Sequence, residues 1–343
     1  MARRTAGRSR RALTIVYCKP DGVGWHAVTC MAELAAELLD AELVVVAADA
    51  PARHLARLTA ETWRRRRQGA GSCLVVAPQP QHLLALMRTD YLRTGFESVV
   101  GWVIDSFWDD RIPAALRRRS HYDTVYVTDP DDVDVWARAV RRPVLYLPWG
   151  ADVLRLGSAA AERPVDLQRL GRQPPAWDDD GVAAAAMAGA GLTYGARPDM
   201  RSSAADNQRT VTQALSRAKF TLAFSNLASA AAYTHPTREY VTARWTDALA
   251  AGSTVAGIAP RSAAATDLLW PGATLDLSGI GLLEVVPELT RAVESWTPEA
   301  AAFNHEQARR RLDWRHRFRL IALQMGLGAP RLDTELSALE RKL

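Results

Sequence analysis

The chain has 343 residues, of which 48% are hydrophobic and 24% are charged; this is the composition of a globular protein, and its length favours two domains over a single core. No apolar run reaches the roughly 18 residues of a membrane-spanning helix, which excludes that class. The net charge is +5, but 40 of the 43 basic residues are Arg, a bias that a GC-rich genome produces without any nucleic-acid partner, and no nucleic-acid-binding motif is present.

The first residues, 1–11, form a basic segment that we expect to be a flexible tail. The apolar stretch after it is too short for the core of a signal peptide. Three cysteines without metal-ligand spacing fit a reducing compartment, so we expect a cytoplasmic protein. The Arg clusters at 64–67 and 117–119 are read as solvated helix faces, with phosphate or membrane contact as the alternative.

The first half of the chain alternates short buried strands with amphipathic segments. A helix is predicted from Val28 to Leu39, because its apolar residues recur with helical spacing. Continuous Val/Leu strands separated by helices indicate a parallel sheet that is covered on both faces. The predicted strands are 12–18, 42–48, 72–78, 98–105, 124–129 and 143–150.

Residues 151–185 are rich in Pro, Gly and Asp and interrupt this rhythm, so a domain junction is expected near residue 151. Strands are then predicted at 166–171, 218–226 and 253–259, and helices at 240–251, 281–296, 298–326 and near the C-terminus. The expected units are an N-terminal acceptor-binding domain at 12–150, a donor-binding domain at 151–311 and C-terminal helices at 312–343. The fold class is α/β, with two doubly wound Rossmann-like domains facing a cleft.

The turn after the first strand reads GVGWHA, which matches the G-x-G-x-x-A pattern of a dinucleotide-binding turn. Asp49 ends the next strand at a plausible distance for a ribose-binding acid. The alternative is a turn in which Gly22 and Gly24 only allow a close backbone approach. In the same turn, His26 is a candidate general base, since a helix N-terminus favours its neutral form; capping or packing is the alternative.

Asp105 ends a strand and is followed by aromatic residues, including Trp108. A carboxylate binds hydroxyl groups and an aromatic face covers C–H surface, so this strand end suits a polyhydroxylated acceptor. The alternative places the Trp residues in the core. Asp109 and Asp110 are adjacent and lack D-x-D spacing, and therefore no metal is predicted.

Three polar residues follow strands in the second half. Arg172 is placed where a guanidinium reaches a diphosphate, and Ser225 and Asn226 are candidates for lining the same pocket. Ser and Asn also cap helices, so these two assignments are open.

The segment 235–257 holds the densest set of polar residues, with Glu239 just before the predicted helix and Asp247 two turns into it. The first amides of that helix would bind an anion, with His235 and Arg238 adding positive charge. A nucleoside diphosphate sugar fits this set, with Asp247 on the ribose and Glu239 on the hexose. The alternative is a surface helix with a pair between Arg244 and Asp247.

This region resembles the E-x7-E motif of group-1 glycosyltransferases with the GT-B fold. The motif stands here as Glu239, Asp247 and the sequence ALAAGSTVAG, and LGR at 170–172 resembles the family's strand end before the donor site. Together with LPWGAD at 147–152, the segment is particularly similar to the spore-maturation-protein (CgeB-like) type. The resemblance covers residues 124–257.

The resemblance implies a metal-independent transfer of sugar from a nucleoside diphosphate to a small-molecule or glycan acceptor, with no further cofactor. By position, Glu239 would contact the donor sugar or the phosphate region, Asp247 the ribose and Arg172 the diphosphate. The amides of Tyr240, Val241 and Thr242 would bind phosphate. Three departures stand out: the second acid is Asp, bulky residues follow Glu239, and no Lys follows Arg172 at short distance.

The resemblance does not distinguish inversion, with His26 or Asp105 as base, from retention. An NAD(P)-dependent oxidoreductase and a non-catalytic nucleotide-sugar-binding protein are the alternatives. The complete sets of expected site residues have three parts. The catalytic set is His26, Asp105 and Glu239. The donor set is Arg172, Ser225, Asn226, His235, Arg238, Glu239, Tyr240, Val241, Thr242, Arg244 and Asp247. The acceptor set is Gly22, Gly24, Trp25, His26, Asp105 and Trp108.

Overall fold

The structure is a computed structural model, and it describes residues 12–48, 71–88, 96–118 and 120–341. Three features named above lie outside the described residues: the basic segment 1–11, Asp49 and the Arg cluster at 64–67. Of the second Arg cluster, Arg117 and Arg118 are described.

Within the described residues, the first half of the chain forms a six-stranded sheet with the order β2-β1-β3-β4-β5-β6, and every pairing in it is parallel. The strands are β1 (Leu13–Lys19), β2 (Glu42–Ala47), β3 (Ser72–Ala77), β4 (Ser98–Val103), β5 (Thr124–Val127) and β6 (Val144–Tyr146). The accompanying helices are α1 (His26–Leu38), α2 (Ala114–Arg118) and α3 (Val133–Val140), with 3-10 turns at Val23–Trp25, Pro80–Arg88, Asp109–Arg111 and Pro130–Asp132.

The second half forms, among the described residues, a five-stranded parallel sheet with the order β11-β10-β9-β7-β8. Its strands are β7 (Val165–Arg169), β8 (Tyr194–Gly195), β9 (Ala218–Leu222), β10 (Thr254–Gly257) and β11 (Thr274–Asp276). Its helices are α4 (Val153–Leu156), α5 (Asp180–Gly189), α6 (Ala204–Ser216), α7 (Ala243–Ala250), α8 (Ala263–Leu268) and α9 (Leu282–Ser295). The chain ends in α10 (Pro298–Arg311), α11 (Trp314–Gln324) and α12 (Pro330–Arg341).

Both faces of the first sheet are buried, because alternate residues of each strand enter different hydrophobic clusters. In β1, Ile15 and Tyr17 join one cluster, while Val16 and Cys18 join the other. This is the packing expected of a parallel sheet with helices on both sides. The strand orders of the two sheets are equivalent, and each has a doubly wound switch point, between β1 and β3 in one and between β7 and β9 in the other. The predicted fold class, α/β with two doubly wound Rossmann-like domains, is therefore confirmed.

The two halves pack together around the connection between β6 and β7. The Trp102 and Trp314 rings meet edge to face with centroids 5.8 Å apart. The Thr246 hydroxyl of α7 donates to the carbonyl of Gly150 at 2.8 Å. Ala151 pairs with Asp313 at the break between α10 and α11. The exact domain limits stay predictions.

A buried ion cluster joins the connection to the C-terminal helices. The fully buried Arg315 guanidinium contacts Asp313, Asp152 and Glu335. Arg155 then bridges Glu335 to Glu37 of α1, which belongs to the first half. The last helix also contacts α1. The cluster therefore joins the connection between the sheets to the C-terminal helices and to α1.

Two sequence-based boundaries were wrong. The helix predicted from Tyr240 begins at Ala243, because the Tyr240 ring stacks on Phe107 and the Val241 side chain is buried, which holds both residues in an extended segment. The helix predicted over 298–326 breaks at Leu312, since Asp313 caps a new helix by accepting the N–H of Arg315 at 2.9 Å.

Candidate functional site

The candidate site lies where strand ends of the two sheets meet. The segment 104–111 follows β4, 170–174 follows β7, and 223–242 follows β9 at the switch point of the second sheet. Ligands of doubly wound sheets bind at such carboxyl ends. Contacts between 104–111 and 235–240 join the two sheets at this place.

Arg172 and Arg244, called the Arg pair below, contact each other at the end of β7. Arg244 donates to the carbonyls of Arg172 at 3.0 Å and Phe224 at 3.1 Å, and Arg172 donates through Nε to the Ser229 hydroxyl at 3.2 Å. Burial lowers the pKa of Arg244 to about 10, and the charge of Arg172 adds to the decrease. Within the described ranges neither guanidinium meets a carboxylate. Two like charges without a counterion are the local chemistry of an anion site.

Gly171 allows this arrangement. It has a φ of +69°, in the left-handed region that favours glycine, and a Cβ at this position would lie 3.0 Å from Cδ of Arg244. The turn between β7 and Arg172 is therefore shaped around the Arg244 side chain.

The start of α7 lies beside the Arg pair. Thr242 is the N-cap residue, but its hydroxyl does not cap the helix, and Oγ1 is buried without a hydrogen bond to any described residue. The first amides of a helix also lack intrahelical acceptors. Tyr240, Val241 and Thr242 precede the helix, so the amides that a helix start offers belong to Ala243 and the residues after it.

Across the interface, Asp105 follows β4 and is within electrostatic range of the Tyr240 phenol. Its side chain is half-buried, and no described residue forms a hydrogen bond with its carboxylate. Burial raises the pKa of Asp105 to about 7, although Arg111 opposes the increase. A carboxylate that titrates near neutral pH is suited to general acid–base chemistry.

Tyr240 connects the Asp105 side of the site to the Arg pair. Burial raises the pKa of its hydroxyl to about 12, the charge of Asp105 adds to the increase, and Arg172 and Arg244 oppose it. The phenol is thus within electrostatic range of all three side chains. Its ring stacks on Phe107 of the first half, with centroids 3.7 Å apart and planes 10° from parallel.

His235 also packs against the first half. Its ring lies 4.7 Å from Trp108, and Nδ1 accepts the N–H groups of Thr237 and Arg238. Burial lowers the pKa of His235, and Arg238 adds to the decrease. A neutral ring that supports the turn is therefore favoured over the positive charge expected from the sequence. The Arg111 guanidinium lies over the Trp108 ring, with Cζ 3.2 Å from the ring centroid.

Arg238 spans the two halves through an ion pair. Its guanidinium donates to Asp132, which is fully buried, and to Asp109 at 3.5 Å. The other oxygen of Asp132 accepts the hydroxyl of Ser106 at 2.5 Å. The charge of Arg238 is consequently engaged by acids of the first half, and in this arrangement it holds the segment before Glu239 rather than facing open space.

Glu239 is half-buried and points to the loop after β10, where its Oε2 accepts the N–H of Arg261 at 3.0 Å. A cavity of about 480 Å³ adjoins this loop. It is lined by Asp131 from the first half and by Arg261, Ser262 and Thr266 from the second. This composition suits a polar ligand.

Asp247 lies on the buried side of α7. It is 5% exposed, and its carboxylate accepts the Gln208 amide at 2.8 Å. Burial raises the pKa of Asp247 to about 7; the hydrogen bond from Gln208 opposes the increase and the charge of Asp152 adds to it. The alternative reading, an ion pair between Arg244 and Asp247 on a surface helix, is not what the structure shows.

The β1–α1 turn carries the other expected acceptor-side residues. Gly22 has a φ of +95°, and a Cβ on Gly24 would meet open space. Trp25 is partly buried against the core. His26 is the first residue of α1; burial, with Lys19, lowers its pKa, and Nδ1 is buried without a described partner. No contact among the described residues joins His26 to Asp105 or Glu239.

Ser225 and Asn226 are buried behind the site and stabilise its backbone. The Asn226 amide donates to the carbonyls of His235 and Arg238 at 2.9 and 2.8 Å. The Ser225 hydroxyl accepts the N–H of Ala228 at 3.4 Å. They shape the 223–242 segment.

Several residues of the site escaped the sequence analysis: Arg111, Asp132, Tyr233 and Ser229. Their contacts join positions far apart in the chain, such as Asp132 and Arg238, and no local spacing indicates them. Phe107, in contrast, was indicated by its position at a strand end. In the part of the chain that the structure describes, no cluster of His, Cys, Asp or Glu has metal-site geometry, and none of the helices there has the length and apolarity to cross a membrane.

No family model matches the chain, and no curated protein is significantly similar to it. Among solved structures, a crystal structure of TarM is similar, with 9% identity and a TM-score of 0.49, covering 77% of this chain and 57% of TarM. A second is a mutant of S. aureus TarM in complex with Fondaparinux, alpha-GlcNAc-glycerol and UDP, with 9% identity and a TM-score of 0.42, covering 82% of this chain. The chain therefore spans 57% and 58% of the length of these two proteins.

Proposed function

We propose that the protein is a glycosyltransferase that moves a sugar from a nucleoside diphosphate to a hydroxyl-bearing acceptor. One observation carries the proposal: the Arg244 guanidinium donates to the backbone carbonyl of Arg172 and is within electrostatic range of its charge, and neither cation has a described counterion. The Tyr240 phenol is within electrostatic range of both cations and of Asp105. A diphosphate between the two guanidiniums neutralises them. A sugar attached to that diphosphate extends toward the other half, where a group of suitable pKa is present.

The leaving group of such a transfer is a nucleoside diphosphate, whose charge grows as the glycosidic bond breaks. Fixed cations and helix amides stabilise that charge without reorganising. Arg172, Arg244 and the first amides of α7 have this role in our proposal. The residues supply it without a metal ion, so we expect activity to survive chelation of divalent cations.

Asp105 is the base that we propose for an inverting reaction. Its pKa of about 7 leaves a large fraction ionised at neutral pH, and its carboxylate is not occupied by a described hydrogen-bond donor. In that role it removes the proton of the acceptor hydroxyl as the hydroxyl oxygen bonds to the anomeric carbon. His26 is the second candidate, and in a retaining reaction either residue positions the acceptor.

We assign the ribose to Asp247 and the sugar to Glu239. The Gln208 amide donates to Asp247 in the way that a ribose hydroxyl would, so ribose binding requires Gln208 to move. Glu239 has one oxygen bonded to the Arg261 N–H and a second that is not bonded to a described residue. The cavity beside Arg261 provides room for a polyhydroxylated ligand. A cytoplasmic location is part of the proposal.

A donor-hydrolysis and transfer assay tests the function. The wild-type protein is incubated with UDP-, GDP- and dTDP-sugars, with and without an acceptor panel and with EDTA, and released nucleoside diphosphate is measured. We expect turnover of at least one donor, a loss of at least tenfold in Arg244→Ala, and a much lower transfer rate in Asp105→Asn. Donor binding with no turnover by the wild type would indicate a non-catalytic binding protein instead.

A further inference from the structure

An exposed aromatic side chain stands beside the Arg pair. Tyr233 is 70% exposed, which is unusual for a large ring on a well-packed domain. Its position in the segment after β9 places it on the same strand-end surface as Arg172. The function proposed above gives it no role.

The turn that carries Tyr233 is ordered by its own hydrogen bonds. The N–H of Thr234 and its hydroxyl both donate to the carbonyl of Ala231 at 2.9 Å. The hydroxyl of Thr234 also accepts the N–H of Ala231 at 3.1 Å. Asn226 fixes the next residue through the carbonyl of His235. An exposed ring on a pre-ordered turn loses little conformational entropy when a ligand covers it.

The Tyr233 ring also interacts with both arginines of the Arg pair. Cζ of Arg172 lies 5.4 Å from the ring centroid, within the range of a cation–π contact. Burial lowers the pKa of Arg244, and the charge of Arg172 adds to the decrease. Tyr233 opposes this decrease, so its phenol is within electrostatic range of the Arg244 guanidinium as well. Tyr233 therefore stands at the solvent side of the place where the diphosphate is proposed to bind.

We propose that Tyr233 is the platform on which the nucleobase of the donor stacks. The inference rests on the proposed function. In a nucleoside diphosphate the ribose separates the base from the phosphates, so a planar ring next to the phosphate-binding cations is reached by the base. Stacking uses the π-face that every base has, and it gives affinity with little discrimination between bases. Base selectivity then comes from other groups.

Calorimetric titration of wild type and variants with UDP, GDP, dTDP and inorganic pyrophosphate tests the inference. Because base–aromatic stacking contributes substantially, Tyr233→Ala should weaken nucleoside diphosphate binding about tenfold. It should leave pyrophosphate binding unchanged, and Tyr233→Phe should bind all four ligands like wild type. Arg172→Ala should weaken all four. Phe303→Ala, which removes an aromatic ring that is 45% exposed on α10, is the matched control and should change nothing.

Two results overturn the inference while leaving the proposed function intact. If Tyr233→Ala weakens pyrophosphate as much as the nucleotides, the ring serves only to position Arg172. If it changes neither, the ring is outside the binding site. If none of the three nucleoside diphosphates binds the wild type, the proposed function fails and the inference fails with it.

Discussion

Replacing Asp247 by Asn should make the protein more stable and a poorer binder of its donor. Asp247 is 5% exposed, and its described hydrogen-bond donor is the Gln208 amide. Asn keeps an oxygen that accepts this bond, and it removes a charge that is buried near Asp152. A carboxylate that costs stability and is retained for binding would show both effects.

The magnitude follows from the pKa, which burial raises from 3.8 to about 7. Because the folded value lies above the unfolded one, the folded protein holds the proton more tightly, and stability falls as pH rises from about 4 to about 7. Relative to its value at low pH, the free energy of unfolding is then lower by about 2 kcal/mol at pH 5 and by about 4 kcal/mol at pH 8, as an upper estimate. Asp247→Asn should therefore gain roughly 2–3 kcal/mol more at pH 8 than at pH 5.

Urea denaturation of both proteins at pH 5 and pH 8 measures this difference. Asp166→Asn is a control of opposite sign: although burial opposes it, hydrogen bonds from Lys219 and Thr193 lower the pKa of Asp166, so its loss should destabilise the protein near neutral pH. A stability gain that does not grow with pH, or a loss, would refute the buried-charge reasoning. A gain with unchanged donor affinity would refute only the ribose assignment.

Three further predictions concern the interface and the Arg pair. Arg238→Gln leaves Asp132 buried without its cation and should lower the free energy of unfolding by about 3 kcal/mol, with part recovered by adding Asp132→Asn; no recovery in urea denaturation would contradict the pairing. The transfer rate should fall about tenfold per pH unit below pH 7 in wild type, and Asp105→Asn should show a flat, low profile; an unchanged profile would exclude Asp105 as the base. Gly171→Ala imposes left-handed strain of about 1–2 kcal/mol and displaces Arg244, so nucleoside diphosphate affinity should fall, and wild-type affinity in that variant would argue against this geometry.

The strand series could be predicted from sequence because buried parallel strands are continuous apolar runs between turn residues. The β1 prediction of 12–18 corresponds to Leu13–Lys19, and the later strands differ mainly in where they end. The edge strands β8 and β11 were missed, since Tyr194–Gly195 has only two residues and Thr274–Asp276 only three. The start of α7 was misplaced because contacts of Tyr240 with the other half override local helix propensity.

Site residues on strand ends could be indicated by position alone, as Arg172 and Asp105 were. What each side chain contacts depends on tertiary structure. The sequence could not reveal that Arg238 pairs with Asp132, or that Arg244 donates to the backbone carbonyl of Arg172, because each pair is far apart along the chain. In an Arg-rich sequence, nothing local separates these buried cations from solvated ones.

Thermal unfolding with UDP, GDP, dTDP and NAD(P)H, for wild type and Arg244→Ala, tests the central claim most directly. A ligand of the folded state raises the melting temperature in proportion to its binding free energy. The account predicts that at least one nucleoside diphosphate raises the melting temperature of the wild type, that Arg244→Ala abolishes the increase, and that NAD(P)H has no effect. Stabilisation by NAD(P)H alone, or an equal increase in Arg244→Ala, would contradict it.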